Sequence, residues 1–149
     1  MNAVVSLGAY YAAVHARLGV TLGPRNAFIG EPIATHDSDG RAHPYAALYP
    51  SPGWQHGIHL AREIDQALLA FQVTAAGGDV DRALRAIDRV RAALTGWAPD
   101  VPGLCCGPLG EPDSYDPGPL THDADETPSR WSSPLLFTGL IWLPEGGTP

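Results

Sequence analysis

The stretch from Phe71 to Trp97, FQVTAAGGDVDRALRAIDRVRAALTGW, constrains the fold of this chain more than any other. Its first half alternates apolar and polar side chains, which is typical of a strand covered on one face. Gly77 and Gly78 end this strand, and Asp79 follows as a candidate N-cap of a helix. Apolar residues then recur at helical spacing up to a stop at Gly96 and predict an amphipathic helix packed on the sheet. They are Val80, Ala83, Leu84, Ile87, Val90 and Leu94.

Apolar periodicity also predicts a first helix and two short strands before this unit. The helix stripe consists of Val4, Leu7, Tyr11, Val14 and Leu18. Gly23-Pro24 ends the helix, and AFIGEPI and PYAALYP then read as short strands around the polar turn THDSDGRAH.

A last strand, SPLLFTGLIWLP, is apolar on both of its faces. One face carries Leu135, Phe137, Ile141 and Leu143, and the other carries Leu136, Leu140 and Trp142. In a domain whose helices cover one side of a sheet, the second face needs cover from elsewhere. The strand is therefore predicted either to lie centrally in the fold or to form an interface between subunits, and Leu136, Leu140 and Trp142 are the interface residues in the second case.

Length and charge restrict the classes of protein that remain. A chain of 149 residues with 44% hydrophobic residues predicts one domain, residues 1–149, with one sizeable core. The net charge is -7 and the chain has no lysine, which argues against nucleic-acid binding through phosphates. A proline- and glycine-rich acidic loop is predicted at about 108–130.

Targeting and redox signals are weak. The apolar N-terminal run lacks a basic n-region and contains His15 and Arg17, which favours an amphipathic helix over a signal peptide or a membrane span. Cys105 and Cys106 are adjacent and do not suit a disulfide with each other. We expect a reduced, soluble protein with no membrane partner.

Three clusters resemble metal or catalytic sites, and each has a simpler interpretation. His56, His59 and Glu63 have a zinc-like spacing, but Gly57 breaks the helix that would align them. Asp37 and Asp39 lie before Gly40 in a calcium-like pattern that lacks the later glutamate, so a tight turn is favoured. His122, Asp123, Asp125 and Glu126 form an acidic patch that suits a solvated loop. The sequence thus predicts no catalytic residue, no cofactor and no metal, because phosphate-loop, nucleophile-elbow and zinc-quartet motifs are absent from it.

Arginines dominate the polar face of the second helix. Arg82, Arg85 and Arg89 lie on it, with Asp81–Arg85 and Asp88–Arg91 spaced as intrahelical ion pairs. Interleaved aspartates cancel most of the positive field, which argues against a nucleic-acid surface. We predict that these three arginines face outward, either solvated or paired with acidic loops of a neighbouring subunit.

The order of PYAALYPSPG, the strand–helix unit ending in DRVRAALTGW, an acidic loop and a final apolar strand resembles the tail terminator family of long-tailed bacteriophages. The resemblance covers roughly Tyr45 to Leu143. It implies a compact α+β subunit with two main helices on one face of a mostly antiparallel sheet. The unusually long acidic segment between Leu109 and Ser129 departs from the family pattern.

The resemblance also implies a function and a set of partners. Such subunits form a hexameric ring that caps the tail tube, ends tail polymerisation and joins the tail to the head connector. The implied partners are copies of the chain itself, the major tail tube protein and a connector or stopper protein. DNA passes through the ring without sequence-specific binding, and the protein resides in the virion after assembly in the host cytoplasm. The alternatives are a connector or stopper of the same virion, or a small metal-binding enzyme that uses His56, His59 and Glu63.

Overall fold

The computed structural model of the chain describes residues 7–52, 54–56 and 66–144. Two helices and seven strands follow one another in these ranges. In chain order they are α1 (Leu7–Leu22), a 3-10 turn (Pro24–Asn26), β1 (Ala27–Ile29), β2 (Tyr45–Tyr49), β3 (Trp54–His56), β4 (Gln66–Gly77), α2 (Val80–Leu94), β5 (Cys105–Cys106), β6 (Thr121–Asp123) and β7 (Arg130–Trp142). The predicted strand–helix unit is therefore present as β4 and α2.

All seven strands belong to one sheet built around β4 and β7. These two long strands pair antiparallel over their whole length, from Gln66 opposite Trp142 to Gly77 opposite Trp131. The strand order is β1-β2-β4-β7-β5, with β3 beside β4 and β6 beside β7. Only β1 pairs in parallel, with β2, and every other pairing in the described sheet is antiparallel. The predicted α+β fold with a mostly antiparallel sheet is confirmed.

Both helices pack on the same face of this sheet, as predicted. Leu69, Phe71, Val73 and Ala75 of β4 point into the core, which they share with buried residues of both helices. Phe71 stacks on Phe137 of β7 and meets the ring of Tyr11 edge to face at 5.4 Å. Neither of the described helices combines the length and the hydropathy of a membrane span.

Local chemistry explains where α2 begins. Asp79 caps the helix, and its carboxylate accepts a hydrogen bond of 2.8 Å from the backbone N–H of Arg82. Gly77 lies so close to this first turn that a Cβ there would come within 2.6 Å of the Arg82 carbonyl carbon. Gly77 therefore does more than end the strand, because it allows the helix to fold back tightly over it, while Gly78 allows the loop at Arg41 and Ala42 to approach.

The two helices are also tied to each other by hydrogen bonds to backbone carbonyls. Arg17 donates from Nε to the carbonyl oxygen of Ala93 at 2.9 Å, and Thr21 donates to that of Arg89 at 2.9 Å. These hydrogen bonds from side chains of α1 to carbonyl oxygens of α2 fix the relative positions of the two helices.

Candidate assembly surfaces

The face of the sheet opposite the helices carries an exposed apolar patch. Leu68 and Leu140 are directly opposite each other on β4 and β7, and Trp142 follows at the end of β7. Leu140 is 41% exposed and Trp142 is 40% exposed. We call Leu68, Leu140 and Trp142 the open-face patch. The structure thus places Leu140 and Trp142 on an uncovered surface, whereas Leu136 is half-buried nearer the acidic segment.

The other end of the same face is polar and is organised by Arg130. Its guanidinium donates to the hydroxyl of Tyr45 at 3.2 Å and lies 3.4 Å from Glu126 and 3.9 Å from Asp123. A cleft of about 210 Å³ opens beside it, lined in part by Tyr49 and Thr74. Because Tyr45 is largely buried, desolvation raises the pKa of its hydroxyl despite the neighbouring arginine.

Arg130 also changes the interpretation of the acidic patch at residues 122–126. Two of its carboxylates, Asp123 and Glu126, already face an arginine, and His122 stacks flat on Trp131 at 4.4 Å between ring centroids. The contact with Glu126 is local in sequence, whereas the contact with Asp123 depends on strand pairing between β6 and β7.

The predicted arginine face of α2 is only partly free. Arg85 pairs with Asp81 at 2.9 Å, as its spacing predicts, and the exposed Arg89 makes no ion pair within the described residues. Arg82 was predicted to face outward, but its side chain is half-buried and contacts the loop that contains Asp37 and Arg41. Arg91 also differs, since it pairs with Glu111 at 2.9 Å instead of with Asp88.

Arg82 holds the loop that joins β1 and β2. It forms an ion pair with Asp37 and donates to the carbonyl oxygen of Arg41 at 3.1 Å. Asp37 also accepts backbone N–H bonds from Asp39 and Arg41, which makes the predicted tight turn. The hydrogen bond from Arg82, followed by that from Arg41, lowers the pKa of Asp37 from 3.8 to about 2.

The acidic segment, residues 109–129, is anchored more firmly than an exposed loop. Its first residue, Leu109, is buried, and Glu111 binds Arg91 of α2. Tyr115 donates its hydroxyl to the carbonyl oxygen of Pro134 at 2.6 Å. The segment also supplies β6. Between this segment and β7 lies a groove of about 220 Å³ whose lining includes Tyr115 and Leu136.

Only one of the three residues of the metal-binding alternative lies within the described part of the chain. His56 lies in strand β3, while His59 and Glu63 fall outside the described residues. Within the ranges that the structure describes, no group of three or more His, Cys, Asp or Glu side chains comes together as a metal site. Cys105 and Cys106 are free and half-buried, and burial raises the pKa of the Cys106 thiol.

Comparison with known proteins gives a likeness in structure only. No protein-family model matches the sequence, and no curated protein matches it. A chain of a solved virion of a native gene transfer agent particle superposes with a TM-score of 0.60 at 15% sequence identity, over 94% of this chain and 99% of that chain. A second solved chain superposes with a TM-score of 0.59 at 16% identity, over 95% of this chain and 99% of that one. At these identities the likeness establishes a shared fold.

Proposed function

We propose that the protein is a structural component of a virion and acts as a tail terminator. In this role six copies close into a ring that caps the tail tube, ends its polymerisation and joins the tail to the head connector. The observation that supports this most is the shared fold, which spans 94% of this chain and almost all of a chain from a gene transfer agent virion. The sequence resemblance to tail terminators covers roughly Tyr45 to Leu143, which is the region from β2 to β7.

The surfaces of the subunit agree with a function in assembly. The open-face patch leaves Leu140 and Trp142 each about two-fifths exposed, and neighbouring exposed apolar side chains on a sheet face suit a contact with another protein. The acidic segment lies at one sheet edge and is held by specific contacts of Glu111 and Tyr115. Surfaces that are apolar, rigid and presented by a regular sheet suit contacts between repeated copies.

The role is tested by removing the gene from a strain that produces the particles and supplying it again from a plasmid. Without the protein, electron microscopy is expected to show tails of uncontrolled length and heads without tails. Restored protein is expected to give joined particles with tails of uniform length. If the deleted strain makes unjoined tails of normal, uniform length, the protein is a connector or stopper and not a terminator. Normal joined particles from the deleted strain would remove it from the virion pathway altogether.

A further inference from the structure

The net charge of the chain is concentrated at one edge of its sheet. Seven of the sixteen carboxylates lie between Asp100 and Glu126, a stretch without any arginine. Arg91 pairs with Glu111, and Arg130 pairs with Asp123 and Glu126, so seven carboxylates against two arginines leave this side with -5 of the net charge of -7. It contains β5 and β6, which both pair with the outer edge of β7. We call this side of the molecule the acidic edge.

The acidic edge has a gap in its hydrogen bonding at Leu136. Thr138 exchanges both backbone hydrogen bonds with Gly110, at 2.8 and 3.1 Å, which shows that even-numbered residues of β7 direct their backbone groups outward here. Leu136 therefore presents its N–H and C=O to the groove beside Tyr115, and neither group has a partner among the described residues. The carbonyl of Pro134 is already occupied by Tyr115.

The opposite edge of the sheet is β1, and it is apolar. Gly30 donates its backbone N–H to the carbonyl oxygen of Leu48 at 2.9 Å. Successive residues of a strand direct their backbone groups to opposite sides, so the N–H and C=O of Ile29 point away from β2. Ile29 is 48% exposed, and Ile33, which follows β1, is 84% exposed. Arg25 precedes the strand and Glu31 follows it, so the charges around this edge balance.

We propose that the β1 edge of one copy docks against the acidic edge of the next copy, with Ile29 and Ile33 at the groove beside Leu136. Two acidic edges repel each other, whereas an acidic edge and a neutral apolar edge do not. An unpaired strand edge also gains hydrogen bonds by meeting another one. Because the two edges lie on opposite sides of the sheet, the contact is head-to-tail, the type of contact that forms a ring when the rotation between successive copies closes. The inference rests on the proposed ring function and specifies which surfaces form it.

Cysteine crosslinking of assembled particles tests this contact. In a background with Cys105→Ser and Cys106→Ser, Ile33→Cys marks the β1 edge and Asp113→Cys marks the acidic edge. With a short bismaleimide, protein carrying both sites is expected to give a ladder of covalent species that ends at six. Protein carrying either site alone is expected to stay monomeric on a denaturing gel. Val20→Cys with Asp113→Cys, which marks the exposed side of α1 instead, is the control that should give no ladder.

The possible outcomes separate this inference from the function on which it rests. Particles that contain the protein but give no ladder, or single-site proteins that crosslink to themselves, would overturn the edge contact and leave the terminator role standing. Particles that form normally without any of this protein would overturn the role.

A second pair of variants avoids the changes at the cysteines. Ile33→Asp adds a carboxylate to the β1 edge, and Val20→Asp adds one to α1 at a position that is 72% exposed. Both should fold, because neither side chain is in the core. Only Ile33→Asp is expected to abolish ring formation, as measured by native mass spectrometry at high concentration and by incorporation into particles. Equal incorporation of the two variants would contradict the proposal.

Discussion

At the scale of single residues, the ion pair of Arg82 and Asp37 alters the titration of a carboxyl group. It links the first turn of α2 to the loop after β1, 45 residues earlier in the chain. The hydrogen bond from Arg82 is the main reason that the pKa of Asp37 falls to about 2. A carboxylate whose pKa is lower in the folded state stabilises that state only while it is ionised.

Asp37→Asn should therefore lower stability in a pH-dependent way. The wild-type contribution is present above the ordinary pKa of 3.8 and is lost as the pH falls from about 4 toward about 2. In urea denaturation, the midpoint of the variant should lie below that of the wild type near neutral pH, and the difference should shrink near pH 2. Asp39→Asn is the control, since its carboxylate forms no ion pair among the described residues. A difference that stays constant down to pH 2 would contradict this account.

At the scale of elements, α2 depends on the apolar stripe that it packs against the sheet. Ile87 is 8% exposed within the core, whereas Leu84, one turn earlier, is 48% exposed. Ile87→Ala is expected to cost about 2–4 kcal/mol of unfolding free energy through the cavity that it leaves. Leu84→Ala on the same helix should cost well under ~1 kcal/mol, because little of that surface leaves water on folding. Chemical denaturation of both variants measures the difference. Similar losses of unfolding free energy in the two variants would show that Ile87 is not the side chain that α2 packs into the core.

The junction between β4 and α2 should be sensitive to a single methyl group. A Cβ on Gly77 would come within 2.6 Å of the helix backbone, while one on Gly8 of α1 would meet nothing within 4 Å. Gly77→Ala is expected to destabilise the protein by about 1–3 kcal/mol, because backbone has to move. Gly8→Ala should be neutral or stabilise by up to about 1 kcal/mol. Thermal denaturation that ranks the two variants in the reverse order would disprove the close approach.

The same elements show what sequence can predict. The β4–α2 unit and the two-faced β7 could be predicted because periodicity and an N-cap are local properties of neighbouring residues. The parallel pairing of β1 with β2 could not, because it depends on contacts across the loop at residues 30–44. The inward turn of Arg82 was missed for a related reason: its partner Asp37 lies far away in sequence. The pairing of Arg91 with Glu111 was likewise hidden by a nearer aspartate at helical spacing.

At the scale of the whole molecule, the outer face of α2 and the two sheet edges are surfaces that neighbours can use. Arg85→Glu with Arg89→Glu tests the helix face. Exposed ion pairs contribute only ~0–1 kcal/mol, so the double variant should fold normally. Reversed charge at a contact surface is expected to block ring formation or tail joining. Complementation scored by electron microscopy is the measurement, and normal joined particles with tails of normal length would show that these arginines are merely solvated.

The central claim is that this chain is a ring subunit at the end of a virion tail. Cryo-electron microscopy of joined particles made with tagged protein tests it most directly. The account predicts six copies in a closed ring between the tail tube and the head connector. A strictly dimeric component, or a ring located elsewhere in the particle, would contradict it.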